Sequence, residues 1–312
     1  MPPVLRALTQ RHLDLAFRTG GDLDVRIVEF PGRWMPPDDL ARLTADLRAV
    51  AARTLPAGDL TYGVFSGDPD RLRQTVLTVI RRGGRPVAFN ALVVIPTTLH
   101  GRPAPVLHLG LVMVDPGERS RGLSWILYGL TCALIFLREG MRPVRISNVT
   151  QVPAVVGLVA ETFSGVFPAP DRTELRNFDT LLLARAIMAD HRHVFGVGPE
   201  ARFDEARFVI EDAYTGGSDH LKKTLADAQP HRDPAYAAFC ADRLDYDRGD
   251  DLLQIGALDM GALRRWVLRE VPKGSLPAVA ALGSLVLLRR AVLPVWHWAT
   301  PGRAFGALRP AR

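Results

Sequence analysis

The stretch Val106 to Leu127, VLHLGLVMVDPGERSRGLSWIL, limits what this chain can become more than any other part of it. Its first half is an apolar, β-branched run of strand character, and Pro116-Gly117 ends it. A basic loop with a glycine follows, Glu118-Arg119-Ser120-Arg121-Gly122-Leu123-Ser124, and then an apolar segment of helix length, Trp125 to Leu137. A strand that runs into such a loop and opens a helix makes an anion site. The first N–H groups of a helix have no intrahelical partner, and the helix dipole adds partial positive charge there. An ordinary strand–turn–helix with two solvated arginines shares the pattern, so its neighbours carry weight.

Those neighbours have a readable order. Val25–Phe30 alternates as a strand, and Pro36-Pro37-Asp38-Asp39 opens a helix to about Arg53, with Leu40, Leu43, Leu47 and Val50 at helical spacing. Asp68 and Pro69 open a second, short helix. Strand candidates Thr75–Arg81 and Arg85–Pro96 flank the turn Arg82-Gly83-Gly84, and His100-Gly101-Arg102-Pro103 turns into the central strand. Pro143–Val149, a helix at Pro153–Phe163 and a short strand around Gly165–Pro168 complete the unit. Further on, Thr173–Asp190 reads as helix, Ala206–Ile210 as strand, Ala213–Asp233 as loop with one helical piece, and Pro234–Leu244 and Asp259–Glu270 as amphipathic segments.

After the strand, Arg119-Ser120-Arg121-Gly122-Leu123-Ser124 resembles motif A of the GNAT superfamily of acyl-CoA-dependent N-acyltransferases, Arg/Gln-x-x-Gly-x-Gly/Ala. Val114-Asp115-Pro116 resembles the Val-x-Pro that precedes it. Ser124 departs from the family's Gly or Ala, yet serine is small and can donate to a phosphate. The element order matches as well, over about Val25 to Pro170. The resemblance implies an α/β (α+β) fold, a mixed and mainly antiparallel twisted sheet flanked by helices. Residues 1–170 would be the acyl-CoA-binding catalytic domain and 171–312 a mostly helical extension. It also implies acyl-CoA as a co-substrate, with no permanently bound cofactor. Arg119, Ser120, Arg121, Gly122, Leu123 and Ser124 would hold its pyrophosphate, and the backbone of Leu111, Val112, Met113 and Val114 would line the pantetheine arm. Gly110, in mid-strand, marks a bulge or a close backbone approach.

In that superfamily an amine attacks the thioester directly, so a base must take a proton from the ammonium. Many members carry a carboxylate base about six residues before the valine of Val-x-Pro, and His108 stands there. Three readings of His108 stay open: a base at neutral pH, a histidine satisfied inside the sheet, or a substrate ligand. The family's usual acid is a tyrosine on the later helix, and Leu158 takes its place. Asn148, at the end of the preceding strand, is either a ligand for cofactor or substrate or a turn residue. Asn90 and Glu161 are further polar candidates, and His100 belongs to an exposed turn.

Charge sharpens the choice of partner. The 312 residues carry a net +6, yet from Met260 onward nine Arg and Lys residues face a single acid, Glu270. Ser275–Ala299 is apolar but for Arg289-Arg290, with Trp296, His297 and Trp298 near its end, and Pro277 and Pro294 shorten any helix. Apolar face, arginines and tryptophans describe a segment lying on anionic lipid, and a buried helix closing the core is the competing reading. The expected function is transfer of an acyl group from acyl-CoA to a primary amine, with a lipidic acceptor or long-chain donor; a sphingoid base is one example. Acetylation of a small amine, and a non-catalytic acyl-CoA-binding scaffold, are the alternatives. No nucleic-acid motif accompanies the basic tail. Two cysteines, Cys132 and Cys240, and an N-terminus without a clean signal-peptide core fit a cytoplasmic protein on the inner membrane face. No metal is expected: Asp242, Asp245, Asp247, Asp250 and Asp251 read as a solvated loop, and His191 and His193 as surface residues.

Overall fold

The computed structural model describes residue 8 and residues 10–19, 22–55, 63–119, 121–170 and 177–299. Its strands are β1 (Asp14–Thr19), β2 (Leu23–Glu29), β3 (Thr75–Arg82), β4 (Arg85–Ile95), β5 (Thr98–Leu99), β6 (Arg102–Pro103), β7 (Val106–His108) and β8 (Val112–Val114). β9 (Val144–Thr150), β10 (Ser164–Phe167), β11 (Arg202–Asp204), β12 (Val209–Glu211) and β13 (Asp251–Leu258) follow. Eleven of them form one sheet in the order β1-β2-β3-β4-β7-β9-β13-β12-β11, with β8 also on β4 and β10 also on β13. Every pairing is antiparallel except that of β7 with β9. This is the mixed, mainly antiparallel sheet that the sequence implies.

The helices are α1 (Pro37–Thr54), α2 (Pro69–Leu72), α3 (Thr131–Arg138), α4 (Pro153–Thr162), α5 (Phe178–Ala186), α6 (Pro234–Arg243), α7 (Met260–Arg269) and α8 (Leu276–Ala299). Pro36 precedes α1, and Asp38 and Asp39 in its first turn complement the helix dipole. Its periodic Leu40, Leu43, Leu47 and Val50 are all buried, as their spacing requires. The helix expected over Thr173–Asp190 is seen from Phe178 onward; residues 171–176 lie outside the described residues.

The boundary expected at residue 170 does not divide the sheet. β13 lies between β9 and β10 and matches β9 over seven register pairs, so the later part of the chain completes the core of the earlier part. That later part is also less helical than its composition suggests, since β11, β12 and β13 come from it. β13 escapes a reading by alternation because both of its faces are covered. Leu252 joins one hydrophobic cluster, and Leu253 and Ile255 join another. Gly256 inside it is forced, since a Cβ there would lie 2.7 Å from Val166.

One face of the sheet carries a single large cluster, with α3, α4, α7 and α8 packed over it. The other face carries two, one under α1 with Phe89, Ala91 and Met113, and one under α5 with Val106, Leu253 and Ile255. On β4 the two part between Ala91 and Val93. From Thr131 to Phe136, α3 is buried at every residue, and a helix apolar all round needs cover on both sides. The sheet supplies one side and α8 the other, through Val279, Leu282, Val286 and a close approach of Gly283 to Leu137. Arg289 donates to the carbonyls of Gln10 and Arg11, and Arg290 to those of Leu137 and Arg138 at the end of α3. Trp266 of α7 locks the other end: its ring fills the space over Gly129, and its indole N–H donates to Trp125 O at 3.1 Å. Trp266→Ala should lower the unfolding free energy by about 3–5 kcal/mol, read as a fall in the urea midpoint with an unchanged slope.

Candidate functional site

The site begins with one extra residue. His108 of β7 faces Val93 of β4, and Val112 of β8 faces Asn90, so four steps along β7–β8 match three along β4. The surplus is a β-bulge at Leu109-Gly110-Leu111. Gly110 is required there, since a Cβ would lie 2.3 Å from Ala91 O. Before the bulge β7 pairs with β9 through His108 and Ser147, and Leu109 N–H donates to Ser147 O at 2.7 Å. Past it, β8 stays with β4, and the described pairing to β9 ends. Leu111 O accepts from Ala91, and Asp115 N–H donates to Val87 O. Alternation along an antiparallel strand then turns the N–H and C=O of Val112 and Val114 the other way, into the gap between β8 and β9.

At the end of β8 the loop disposes of its own acids. Asp115 caps Gly117 N–H at 3.0 Å and pairs with Arg53 at 2.7 Å and with Arg85. The Gly117 bond and the two arginines hold its carboxyl below the ordinary range, against the opposing effect of burial. Glu118 is gripped by both arms of Arg82, at 3.0 and 2.9 Å, with Arg121 at 3.8 Å. The surface left outward is basic: Arg119 and Arg121 are exposed, Gly122 turns at φ +71°, and Ser124 is exposed at the helix start. Ile126 and Leu127 N–H reach back to Leu123 O, while those of Leu123, Ser124 and Trp125 have no backbone acceptor among the described residues. The helix opens with a widened turn, Trp125–Leu130, before α3 proper. Ser120 lies outside the described residues.

The remaining residues singled out in the sequence scatter. His108 is 2 % exposed, holds Ser147 Oγ with Nδ1 at 3.1 Å, and is covered by the Phe195 ring, centroids 5.1 Å apart. Burial pushes its pKa down to about 4, so at pH 7 it is neutral and a feeble proton acceptor. Asn148 points to the opposite face, where its amide donates to Gln254 Oε1 at 3.1 Å. Gln254 in turn donates to Val156 O and Pro168 O, so this is an interior network that ties β9 to β13 and α4. The structure therefore does not bring His108 and Asn148 together. Asn90 donates to Leu127 O and supports the widened turn. Glu161 pairs with Arg232 beside a cavity of about 400 Å³ lined also by Arg265 and Arg269. His100 is exposed and meets Asp179 at 2.7 Å.

The aspartate-rich stretch departs from the solvated loop expected of it. Asp250 and Asp251 are buried, not solvated. Burial pushes the Asp250 carboxyl up, but both arms of Arg248, at 2.7 Å each, and the N–H groups of Asp245 and Asp212 bring it below its ordinary value. Asp251 receives the Tyr214 hydroxyl at 3.1 Å, and that hydroxyl also takes the Gln151 amide. Nothing in the spacing of these three residues pointed to their meeting. No group of three or more possible metal ligands occurs among the described residues.

No protein-family model matches this chain, and no curated protein matches it. The geometry has to carry the functional reading.

His108 has a consequence for stability. Folded, it stays neutral down to about pH 4, whereas unfolded it takes a proton near pH 6.5. Below pH 6.5 the unfolded chain binds more protons, so stability falls as the pH drops toward 4. His12, held at about 4 by burial and by Arg11, has the same sign. His108→Gln should therefore lose less of its urea midpoint than the wild type between pH 7 and pH 4.5.

Proposed function

We propose that this chain is an acyl-CoA-dependent N-acyltransferase. The observation that carries the reading is the parting of its one described parallel strand pair at Gly110, with a basic loop and helix start at the far end of the gap. An extended arm with amide groups suits the backbone of Val112 and Val114, which has no strand partner on the gap side among the described residues. A pyrophosphate suits the N–H groups of Leu123, Ser124 and Trp125 with Arg119 and Arg121 beside them. In such a complex the amine attacks the thioester carbonyl, a C–N bond forms, the C–S bond breaks, and thiol leaves. Arg119→Ala with Arg121→Ala should weaken coenzyme A binding by about tenfold or more, ~1.4 kcal/mol, in a calorimetric titration. Unchanged affinity would count against the loop as the phosphate site.

We further propose that acceptor or donor is lipidic and that the chain works on an anionic, cytoplasmic membrane surface. α8 supports this reading. Lys273–Val295 has a mean hydropathy of 1.7 and the length to cross a membrane, yet it lies along α3. Its inner stripe is core, as the competing reading requires. Its outer stripe, with Leu276, Ala280, Ala281, Ser284, Leu287, Leu288, Ala291 and Val295, is exposed and uncharged. Leu268 of α7 is also exposed, between the exposed Arg264 and Arg269. Charge and apolarity together suit anionic lipid. The side chains of Trp296, His297 and Trp298 and residues 300–312 lie outside the described residues. Leu287→Asp with Leu288→Asp should abolish flotation with phosphatidylglycerol vesicles while leaving the urea midpoint within about 0.5 kcal/mol. Thiol release from acetyl- to palmitoyl-CoA tests the rest: preference for long chains supports lipid chemistry, and preference for acetyl supports a small-amine enzyme. Binding of coenzyme A without release would favour the non-catalytic scaffold, the reading that Leu158 and the buried His108 support.

A further inference from the structure

The face of the sheet that carries His108 holds a second polar group of residues. Gln151 follows directly on β9, on the same face as Ser147 and Val149, because successive strand residues alternate. Its amide N–H groups reach the Tyr214 hydroxyl and, at 3.2 Å, Leu221 O. Since a carbonyl can only accept, the Leu221 contact fixes which way the amide points. Gln151 Oε1 is thereby left buried without a hydrogen-bond partner among the described residues, in a side chain 2 % exposed. Next to it, Asp251 is 6 % exposed, and among the described residues its carboxyl takes one hydrogen bond, from Tyr214.

The position is as telling as the composition. Beyond Ser147 the described pairing of β9 to β7 ends, so one side of Gln151 is the gap. Carrying the register forward from His108 and Ser147, past the extra residue of the bulge, sets Gln151 level with Met113 across that gap. Leu221, whose carbonyl holds Gln151, packs on the cluster that contains Met113. The segment from Tyr214 to Leu221 thus roofs the gap on this face.

Among the described residues, the cluster has no donor with positive charge. The neighbouring Asp250 has Arg248, and Arg248 also reaches Glu211. Asp251 faces Tyr214 and Asp250, with Tyr246 nearby, and no cation acts on it among the described residues. Tyr246 is itself engaged, donating to Gln151 O at 2.6 Å. A primary ammonium brings one positive charge and three donors, which matches Gln151 Oε1 and the free lone pairs of Asp251. A buried acid with no cation beside it is costly to ionise, which marks it as a candidate for function.

We propose that Gln151, Tyr214 and Asp251 form the site that receives the acceptor's primary ammonium, with Asp251 taking its proton. The proposal rests on the acyl-transfer reading and names the acceptor class for it: a cation with a single –NH₃⁺ head. In the step, R–NH₃⁺ gives one proton to the Asp251 carboxylate, and the freed lone pair attacks the thioester carbonyl. The C–N bond forms and the C–S bond breaks, and the second nitrogen proton leaves with the thiolate as thiol. Asp251 returns its proton to solvent.

Burial, opposed by the Tyr214 bond and helped by Asp250, pushes Asp251 up to about 8, so at pH 7 it is largely protonated, and an ammonium docking beside it sends that proton to solvent before the step. A folded value above the unfolded one means that the native state binds the extra proton. Asp251 therefore costs stability as pH rises from about 4 through 8. A site kept for function predicts a paired result for Asp251→Asn in the full chain. Calorimetry with octylammonium chloride, without any acyl-CoA, should show binding to the wild type and at least a tenfold loss in the variant. The variant should also melt higher than the wild type at pH 9. Tyr214→Phe, which keeps the carboxylate and removes one donor, should weaken octylammonium binding and not raise the melting temperature at pH 9. Absence of binding to the wild type, equal affinity in Asp251→Asn, or an Asp251→Asn variant that melts lower at pH 9 would each overturn the proposal. The coenzyme A titration stands apart from all three, so a failure of the acyl-CoA reading is seen separately.

Discussion

The contact between Gly110 and the carbonyl of Ala91 sets the geometry on which the site depends. A backbone approach that leaves no room for a Cβ lets the strand take in one residue more than its partner. The bulge bends it, so β8 follows β4 and abandons β9. A sheet that parts in its middle leaves backbone donors and acceptors without strand partners on two inner edges, and such groups need hydrogen bonds from somewhere. In most sheets that situation belongs to the rim. Here it lies between β8 and β9, with strands on both outer sides, where hydrophobic clusters on the two faces limit what can enter.

The layers follow from the same break. Two clusters rather than one cover the face of His108, and they part on β4 close to the bulge. The segment inserted between β10 and β13 spans that division, with Tyr214 on one cluster and Leu221 on the other. On the opposite face the helix after the loop is apolar on all sides, which obliges the chain to bring a further helix over it. α8 meets that need, so an apolar C-terminal segment is a structural requirement of the helix α3 whatever else it touches.

The strand, the loop and the helix start were legible because their logic is local. Pro116, Gly117 and Gly122 act on their own backbone, and the periodicity of α1 lies within one segment. Gly110 was legible as a close approach, although Ala91 as its neighbour was not. What was hidden depends on partners far along the chain. By residue type His108 reads equally as a base or as a histidine satisfied inside the sheet, and only the Phe195 ring and Ser147 show how deeply it lies. Asn148 reads as either a ligand or a turn residue, and it is Gln254, 106 residues later, that takes its amide. Five aspartates in ten residues read as solvated loop, and the last two prove to be buried, Asp250 just before β13 and Asp251 as its first residue. Arg248 beside Asp250 was a local clue to that burial; Tyr214, 37 residues before Asp251, was none.

The two arginines that punctuate the C-terminal helix also change meaning in three dimensions. In sequence, Arg289-Arg290 interrupts an apolar run and suggests contact with lipid phosphates. In the fold, Arg289 is buried against the carbonyls of Gln10 and Arg11, and Arg290 reaches the carbonyls that end α3. Burial, with Arg138 nearby, lowers the Arg289 pKa to about 10, which still leaves it charged at neutral pH. Cations at a helix C-terminus complement the dipole, so Arg290 stabilises the helix it touches. In the proposed lipid contact, the exposed Arg264 and Arg269 of α7 and Lys273, three residues before α8, would then supply the charge. Under that proposal Lys273 would lie toward the N-terminal end of the exposed apolar stripe, a polarity that a bare count of tail charges does not reveal.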